Sequence, residues 1–234
     1  MSDDVHESAS PLIGVLQESS LHAAIKKHIA RPGDRLEERV GTHVIDIVRG
    51  RSLIEVQTGS FAKLRPKLTA LLAEHPVTVI YPVAAEKWLV YVDERRAELS
   101  RRRSPRRGRL TDVVRELSSI ASFARDRNFR LTVLLTKVEE LRHDDGQGSW
   151  RRRGVSIVDR RLVEVLRSVT FSCSQDYLSL LPPALPMPFT NSELSAAGKI
   201  PRNHAQGITY CLRKMELLAI TGKKGRELQF ELVS

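Results

Sequence analysis

Two short apolar segments, Thr42-His43-Val44-Ile45-Asp46-Ile47-Val48 and Ser52-Leu53-Ile54-Glu55-Val56-Gln57-Thr58, are joined by Arg49-Gly50-Arg51. The joining tripeptide carries a turn signal, so the pair predicts a β-hairpin. Residues two apart on a strand face the same side, which puts Glu55 and Gln57 together while Ile54 and Val56 face the other way. Asp46 lies on the partner strand, close enough to join them. Acids on the solvent face of a hairpin are ordinary. These acids interrupt strands that are otherwise strongly apolar, a pattern that points to cover on both faces. Ionised groups in that setting need a metal or a partner. Two carboxylates converging at a strand end form a hard oxygen site suited to Mg²⁺, which can activate water and stabilise charge on a phosphodiester.

The elements around the hairpin follow from periodicity and breakers. Residues 18–29 read as a helix with Leu21, Ala24, Ile25 and Ile29 on one side, ended by Arg31-Pro32-Gly33. Residues 36–40 form a short strand candidate. Residues 60–74 are amphipathic through Phe61, Leu64, Leu68, Leu71 and Leu72, with a helix that starts or kinks at Pro66. Residues 77–81 make a compact apolar strand closed by Pro82, and residues 88–92 make another. Further on, residues 109–125 predict a helix, residues 129–135 a strand, and residues 143–148 a turn or mobile loop. The first ten residues read as a disordered tail.

The order helix, three strands, helix, strand, with Asp46 on the second strand and Glu55-Val56-Gln57 on the third, resembles the PD-(D/E)xK, or restriction-endonuclease-like, nuclease superfamily. The resemblance covers about residues 12 to 95, and Leu53 to Thr58 with Phe61 and Leu64 looks like its E-x-Q variant. It implies an α/β fold with an αβββαβ core on a mixed sheet and divalent-metal-dependent cleavage of DNA. It also implies Mg²⁺ or Mn²⁺ held by Asp46 and Glu55, with Gln57 orienting water or a phosphate oxygen. Members of the superfamily often add an acid from the first helix, for which Glu18 is the better placed candidate, with Glu37 and Glu38 behind it. Gln57 stands where lysine is commonest and cannot carry lysine's positive charge. A non-catalytic DNA-binding regulator on the same scaffold, or an RNA-directed nuclease, are the alternatives.

Residues 171–234 resemble a winged helix-turn-helix domain following a nuclease-like domain at 11–170. Thr190 or Asn191 caps a short helix. A turn at Gly198 to Pro201 leads into a longer helix over residues 203–218, with Ala205, Ile208, Cys211, Leu212 and Met215 at helical spacing. A Gly- and Lys-rich hairpin then leads to an alternating strand at residues 228–232. The resemblance implies DNA contacts from Arg202, Asn203, His204, Gln206, Thr209 and Arg213 on the second helix, and from Lys223, Lys224 and Arg226 on the wing. On this reading residues 172–234 bind DNA independently of the core.

Charge agrees with such a partner. The net charge is +10, and the eight arginines and one glutamate of residues 95–109 supply +7 of it. Interleaved serine, proline and glycine predict a mobile, solvated segment there, able to track phosphates. Arg151 to Arg153 with Arg160-Arg161 form a second basic patch. A homodimer is left open. Cys173 and Cys211 offer neither a disulfide framework nor a zinc spacing, and no stretch approaches the roughly 20 apolar residues of a membrane span. With no signal peptide visible, the expectation is a cytoplasmic protein with reduced thiols and no membrane partner.

Overall fold

The computed structural model describes residues 19–233, so the tail at 1–10 and Glu18 lie outside the described residues. Helix α1 (Ser20–Ile29) starts where the Ser19 hydroxyl accepts a hydrogen bond from the His22 N–H, and it buries Leu21 and Ile25. Strands β1 (Arg35–Val40), β2 (His43–Arg49) and β3 (Ser52–Val56) form an antiparallel meander. The β2–β3 turn closes in two residues because Gly50 takes a φ of +57°, which glycine adopts without steric cost. Helix α2 (Arg65–Leu71) follows, with Pro66 in its first turn, so the proline starts the helix and does not kink it.

β4 (Val77–Val92) is one strand of 16 residues, where the sequence predicts two separated by Pro82. β3 pairs with its first residues, Val77 to Ile80, in parallel. β5 (Glu98–Arg103) pairs antiparallel with Trp88 to Val92. Pro82 lies between these two partners, where β4 has a neighbouring strand on one side alone, so its missing N–H leaves no ladder bond unmade on the open side. β5 also corrects the expectation of a mobile arginine segment. Arg101 reaches Glu139 at 2.5 Å and lies 5.8 Å from the Trp88 ring centre, while Arg103 pairs with Glu86 at 2.9 Å. Arg101→Ala is therefore expected to cost about 0.5–1 kcal/mol, a fall in Tm of roughly 1–4 °C. The Arg106→Ala/Arg107→Ala pair, exposed beyond the strand, should leave a thermal melt unchanged.

The helix predicted at 109–125 breaks into 3-10 turns at Leu110–Val113 and Ala121–Arg125 around a four-residue α3 (Val114–Leu117). Ser118 and Ser119 turn their hydroxyls onto the carbonyls of Arg115 and Glu116, competing with helical continuation. Of the apolar side that the spacing predicts, Val113, Val114, Leu117, Ile120 and Ala121 are nonetheless buried, and Leu110 is half-buried. β6 (Phe129–Asp144) runs parallel to β4, and β7 (Val155–Phe171) returns antiparallel along it. The protein is thus mixed α/β, its large sheet ordered β1-β2-β3-β4-β6-β7 with β5 also on β4, and α1 packed on one face.

The C-terminal part contains β8 (Phe189–Thr190), α4 (Asn191–Gly198), α5 (Arg202–Lys214), β9 (Leu218–Lys224) and β10 (Glu227–Leu232). Thr190 caps α4 and its N–H bonds Glu193 in return. The three strands pair as β8-β10-β9. Ala205, Ile208, Cys211, Leu212 and Met215 are all buried, and they share one apolar cluster with Val113, Val114 and Leu117 and with the second face of the large sheet.

Candidate functional site

β2 and β3 pair from Arg49↔Ser52 to Ile47↔Ile54 and then part, so the next residues on each, Asp46 and Glu55, sit where the ladder opens. Asp46 Oδ2 takes the place of a strand partner and accepts the Val56 N–H at 2.8 Å. His22 of α1 points into the same opening. Its Nε2 lies 2.9 Å from the Val56 carbonyl oxygen and 3.4 Å from Asp46 Oδ2, so two hard oxygens converge on one point. Lys67 of α2 approaches from the other helix, with Nζ 2.5 Å from Glu55 Oε1 and also 2.5 Å from the Val44 carbonyl. The ammonium aligns with the carbonyl. Glu55 Oε1 is fully buried against that ammonium, and the Asp46 backbone N–H also contributes to holding the carboxylate.

The two carboxyls are driven in opposite directions. Burial pushes Asp46 up, but the hydrogen bonds from His22 and the Val56 N–H, with the charge of Lys67 beyond, outweigh it and hold the group below the usual carboxylate range. Burial pushes Glu55 up to about 7; Lys67 offsets part of the rise and the Asp46 charge adds to it. One group stays ionised while its neighbour titrates near neutrality, a division that recurs where acids do chemistry.

Gln57 continues β3, its N–H bonding the Ile80 carbonyl at 2.8 Å, with a half-buried side chain beyond Glu55. Glu37 and Glu38 are engaged elsewhere, with Lys26 at 2.6 Å and Arg35 at 3.5 Å. Among the described residues no group of three or more His, Cys, Asp or Glu side chains is placed to hold a metal ion. The oxygens on hand are the two carboxylates and the Val56 carbonyl. His22 and Lys67 were not singled out by sequence reasoning as site residues. A signal exists for both: His22 lies three residues before Ile25, and Lys67 lies three after Leu64 and four before Leu71, so each polar side chain falls on a buried helical stripe.

On α5 the expected contact set divides. Arg202, Asn203, Gln206 and Arg213 are exposed, as are Lys223, Lys224 and Arg226 on the β9–β10 turn. His204 and Thr209 correct the expectation of an exposed face. His204 is buried with Nδ1 3.3 Å from Asp112, and the buried Thr209 hydroxyl donates to Asn191 Oδ1 at 2.9 Å. Both fall on the stripe that α5 turns inward. Two exposed cations have acidic neighbours, Arg202 with Glu227 and Lys224 with Glu193 at 2.7 Å. Cys173 and Cys211 are free, and no helix among the described residues is long and apolar enough to cross a membrane.

The fold and site define a mixed α/β protein with a paired-carboxylate site at a strand opening. The chain belongs to the family described as a domain of unknown function, DUF8091, whose profile matches residues 19–172. That stretch runs from the α1 cap to the end of β7 and contains His22, Asp46, Glu55 and Lys67, while α4, α5 and the β9–β10 turn lie outside it. An uncharacterized protein of Treponema pallidum (strain Nichols) is 31% identical over 175 residues, covering 73% of this chain and 70% of that protein. No solved structure matches.

Proposed function

We propose that the protein is a divalent-metal-dependent nuclease that hydrolyses DNA phosphodiesters, with a PD-(D/E)xK-like core and a C-terminal winged helix-turn-helix. The observation that carries the reading is the Asp46–Glu55 pair at the β2–β3 opening, one carboxyl held ionised and the other poised near 7. The element order from α1 to β4 supports the core, and the order β8-α4-α5-β9-β10 supports the reader. Mg²⁺ or Mn²⁺ would take hard oxygen ligands, and the carboxylates of Asp46 and Glu55 supply that chemistry at the opening, where His22 and Lys67 now engage them. When bound, such an ion lowers the pKa of water and offsets charge on the phosphate.

The chain's own residues divide the remaining work. Val56 N–H fixes the Asp46 carboxylate in the opening. Lys67 carries the positive charge that Gln57 lacks and sits against Glu55, from where an ammonium can meet a phosphate oxygen. Gln57 can orient water through its amide. Arg202, Asn203, Gln206 and Arg213 face outward to meet the major groove, with Lys223, Lys224 and Arg226 against the backbone.

The test is a titration of DNA cleavage with Mg²⁺ and Mn²⁺, run beside an Asp46→Ala protein. Wild-type activity should appear with metal and vanish with chelator, and the variant should lose it at every metal concentration. Absence of cleavage on single-stranded, duplex and flapped DNA and on RNA would leave the non-catalytic regulator, which the compensation of both acids by His22 and Lys67 favours.

A further inference from the structure

Beyond the carboxylate pair, the α1 face of the sheet carries a second polar centre. Glu140 of β6 is only 2% exposed and is held by three cations: Lys87 of β4 at 3.3 Å, Arg142 at 2.7 Å and Arg160 of β7 at 3.3 Å. Burial pushes its carboxyl up, yet Arg142, Lys87 and Arg160 outweigh that and keep it ionised. Three positive charges thus converge on the Glu140 carboxylate; Asp159, which accepts the Arg160 N–H at 2.7 Å, is a second carboxylate lining the adjoining pocket. A buried carboxylate that grips several cations fixes their geometry before any ligand arrives.

This centre forms part of a cleft and is not sealed. Lys87, Glu140 and Arg160 line a pocket with Thr58, and a neighbouring pocket shares Thr58 and Arg160 and adds Arg96 from the β4–β5 turn and Ser19 and Ser20 from the start of α1. The N-terminal residues of α1 therefore line the same pocket as Arg160. Thr58 is three residues past Glu55 and stands next to Gln57, whose N–H still pairs with β4. At about 3.3 Å per extended residue this puts the cleft roughly 10 Å from the paired carboxylates, a few steps along a strand that rises ~3.4 Å per nucleotide.

We propose that this cleft binds a phosphate group of the nucleic-acid strand that brings another phosphodiester, a few nucleotides along, to Asp46 and Glu55, with Arg160 and Arg96 as its anion-contacting residues, Lys87 behind them and Glu140 as the positioning residue. That the anion belongs to nucleic acid rests on the nuclease reading; the anion site itself does not. Arg160 is half exposed on its Glu140 support and Arg96 is exposed at the rim, so both guanidinium groups are open to an incoming phosphate.

The test measures binding without chemistry. The full chain is titrated in chelator against a short labelled single strand by fluorescence anisotropy, over a range of salt concentrations. Arg96→Gln/Arg160→Gln should bind about tenfold more weakly, with a salt slope smaller by about 0.7, because one lost phosphate contact removes about 0.7 of released counterion on a single strand. Arg160→Lys should keep most of the affinity that Arg160→Gln loses. If the double variant melts early, Arg96→Gln alone decides, since its side chain lies on an exposed turn. Affinity and slope within twofold of wild type in a folded variant would overturn the proposal. A 5′-phosphorylated strand outbinding its 5′-hydroxyl counterpart assigns the site to a terminal phosphate, and equal binding assigns it to an internal one. A wild-type protein that cleaves nothing yet binds through Arg96 and Arg160 would end the nuclease reading and leave the anion cleft standing.

Discussion

If the protein is the nuclease proposed above, Glu55→Gln is expected to leave a folded protein whose kcat/KM for DNA cleavage has fallen by about a thousandfold or more, the scale of several kcal/mol of lost charge stabilisation. Glutamine keeps the volume of the side chain inside its buried site and loses the negative charge that a metal needs. The same substitution should change how stability depends on pH. The folded protein holds the Glu55 proton up to about 7, against an ordinary value of 4.5. A raised carboxyl pKa means the folded state binds that proton more tightly, so the contribution is complete below pH 4.5 and is lost as pH rises through 7. The gap is on the order of 3 kcal/mol. Between pH 4.5 and 8 the Tm of the metal-free wild type should therefore fall relative to that of Glu55→Gln. Mg²⁺ should restore the wild type at pH 8, because binding to the folded state alone stabilises it, and should do nothing for the variant. A Tm difference that does not move with pH would mean that Glu55 is ionised throughout and that Lys67 compensates it fully.

Local signals foretold the hairpin and its acids because they need nothing beyond neighbouring residues. Gly50 supplies the turn, alternation sets the faces, and Asp46 and Glu55 stand out against Ile45, Ile47, Ile54 and Val56. The stripes of α1 and α5 were legible for the same reason, since Leu21 with Ile25 and Ala205 with Ile208 and Leu212 repeat at helical spacing. What was hidden depends on partners distant in the chain. Arg101 to Arg103 look like a solvated run until Glu86 and Glu139 are placed across from them. Pro82 reads as a strand end unless β3 and β5 are known to leave that flank open. The serines at 118 and 119 break a helix whose apolar side was nonetheless correct. At the site itself, Lys67 lies 12 residues past Glu55 and His22 lies 24 before Asp46, so only the packing of α1 and α2 against the opened hairpin brings all four together.

Cutting the chain at residue 171 is expected to yield a C-terminal piece without a cooperative thermal transition, against the sequence-based expectation that residues 172–234 act alone. The buried stripe of α5 packs on α3 and its flanking turns: Cys211 Sγ lies 3.9 Å from the Val114 carbonyl oxygen, and a Cβ on Gly207 would come within 2.9 Å of Val114 Cγ2. His204 meets Asp112, Arg125 meets Glu216, and Arg109 donates to the Lys199 carbonyl at 2.6 Å. Removing residues 1–170 uncovers the part of that stripe that meets α3 and its turns, while Leu194 of α4 and Leu218 of β9 still cover the rest. Each side chain such as Ile208 or Leu212 returned to water costs about 1.5–3 kcal/mol, which a segment this small cannot absorb within the 5–15 kcal/mol typical of a whole domain. The full chain should unfold in one transition, and Gly207→Leu, which forces a side chain against Val114, should lower its Tm through about 1–3 kcal/mol of overpacking. A sharp melt from the isolated 171–234 piece would show that α5 holds its own core. Otherwise the exposed face of Arg202, Asn203, Gln206 and Arg213 is presented by a scaffold that includes the sheet carrying Asp46 and Glu55. DNA seated on α5 would then be held at a fixed distance from the paired carboxylates, so contacts on the helix help to determine which phosphodiester reaches them.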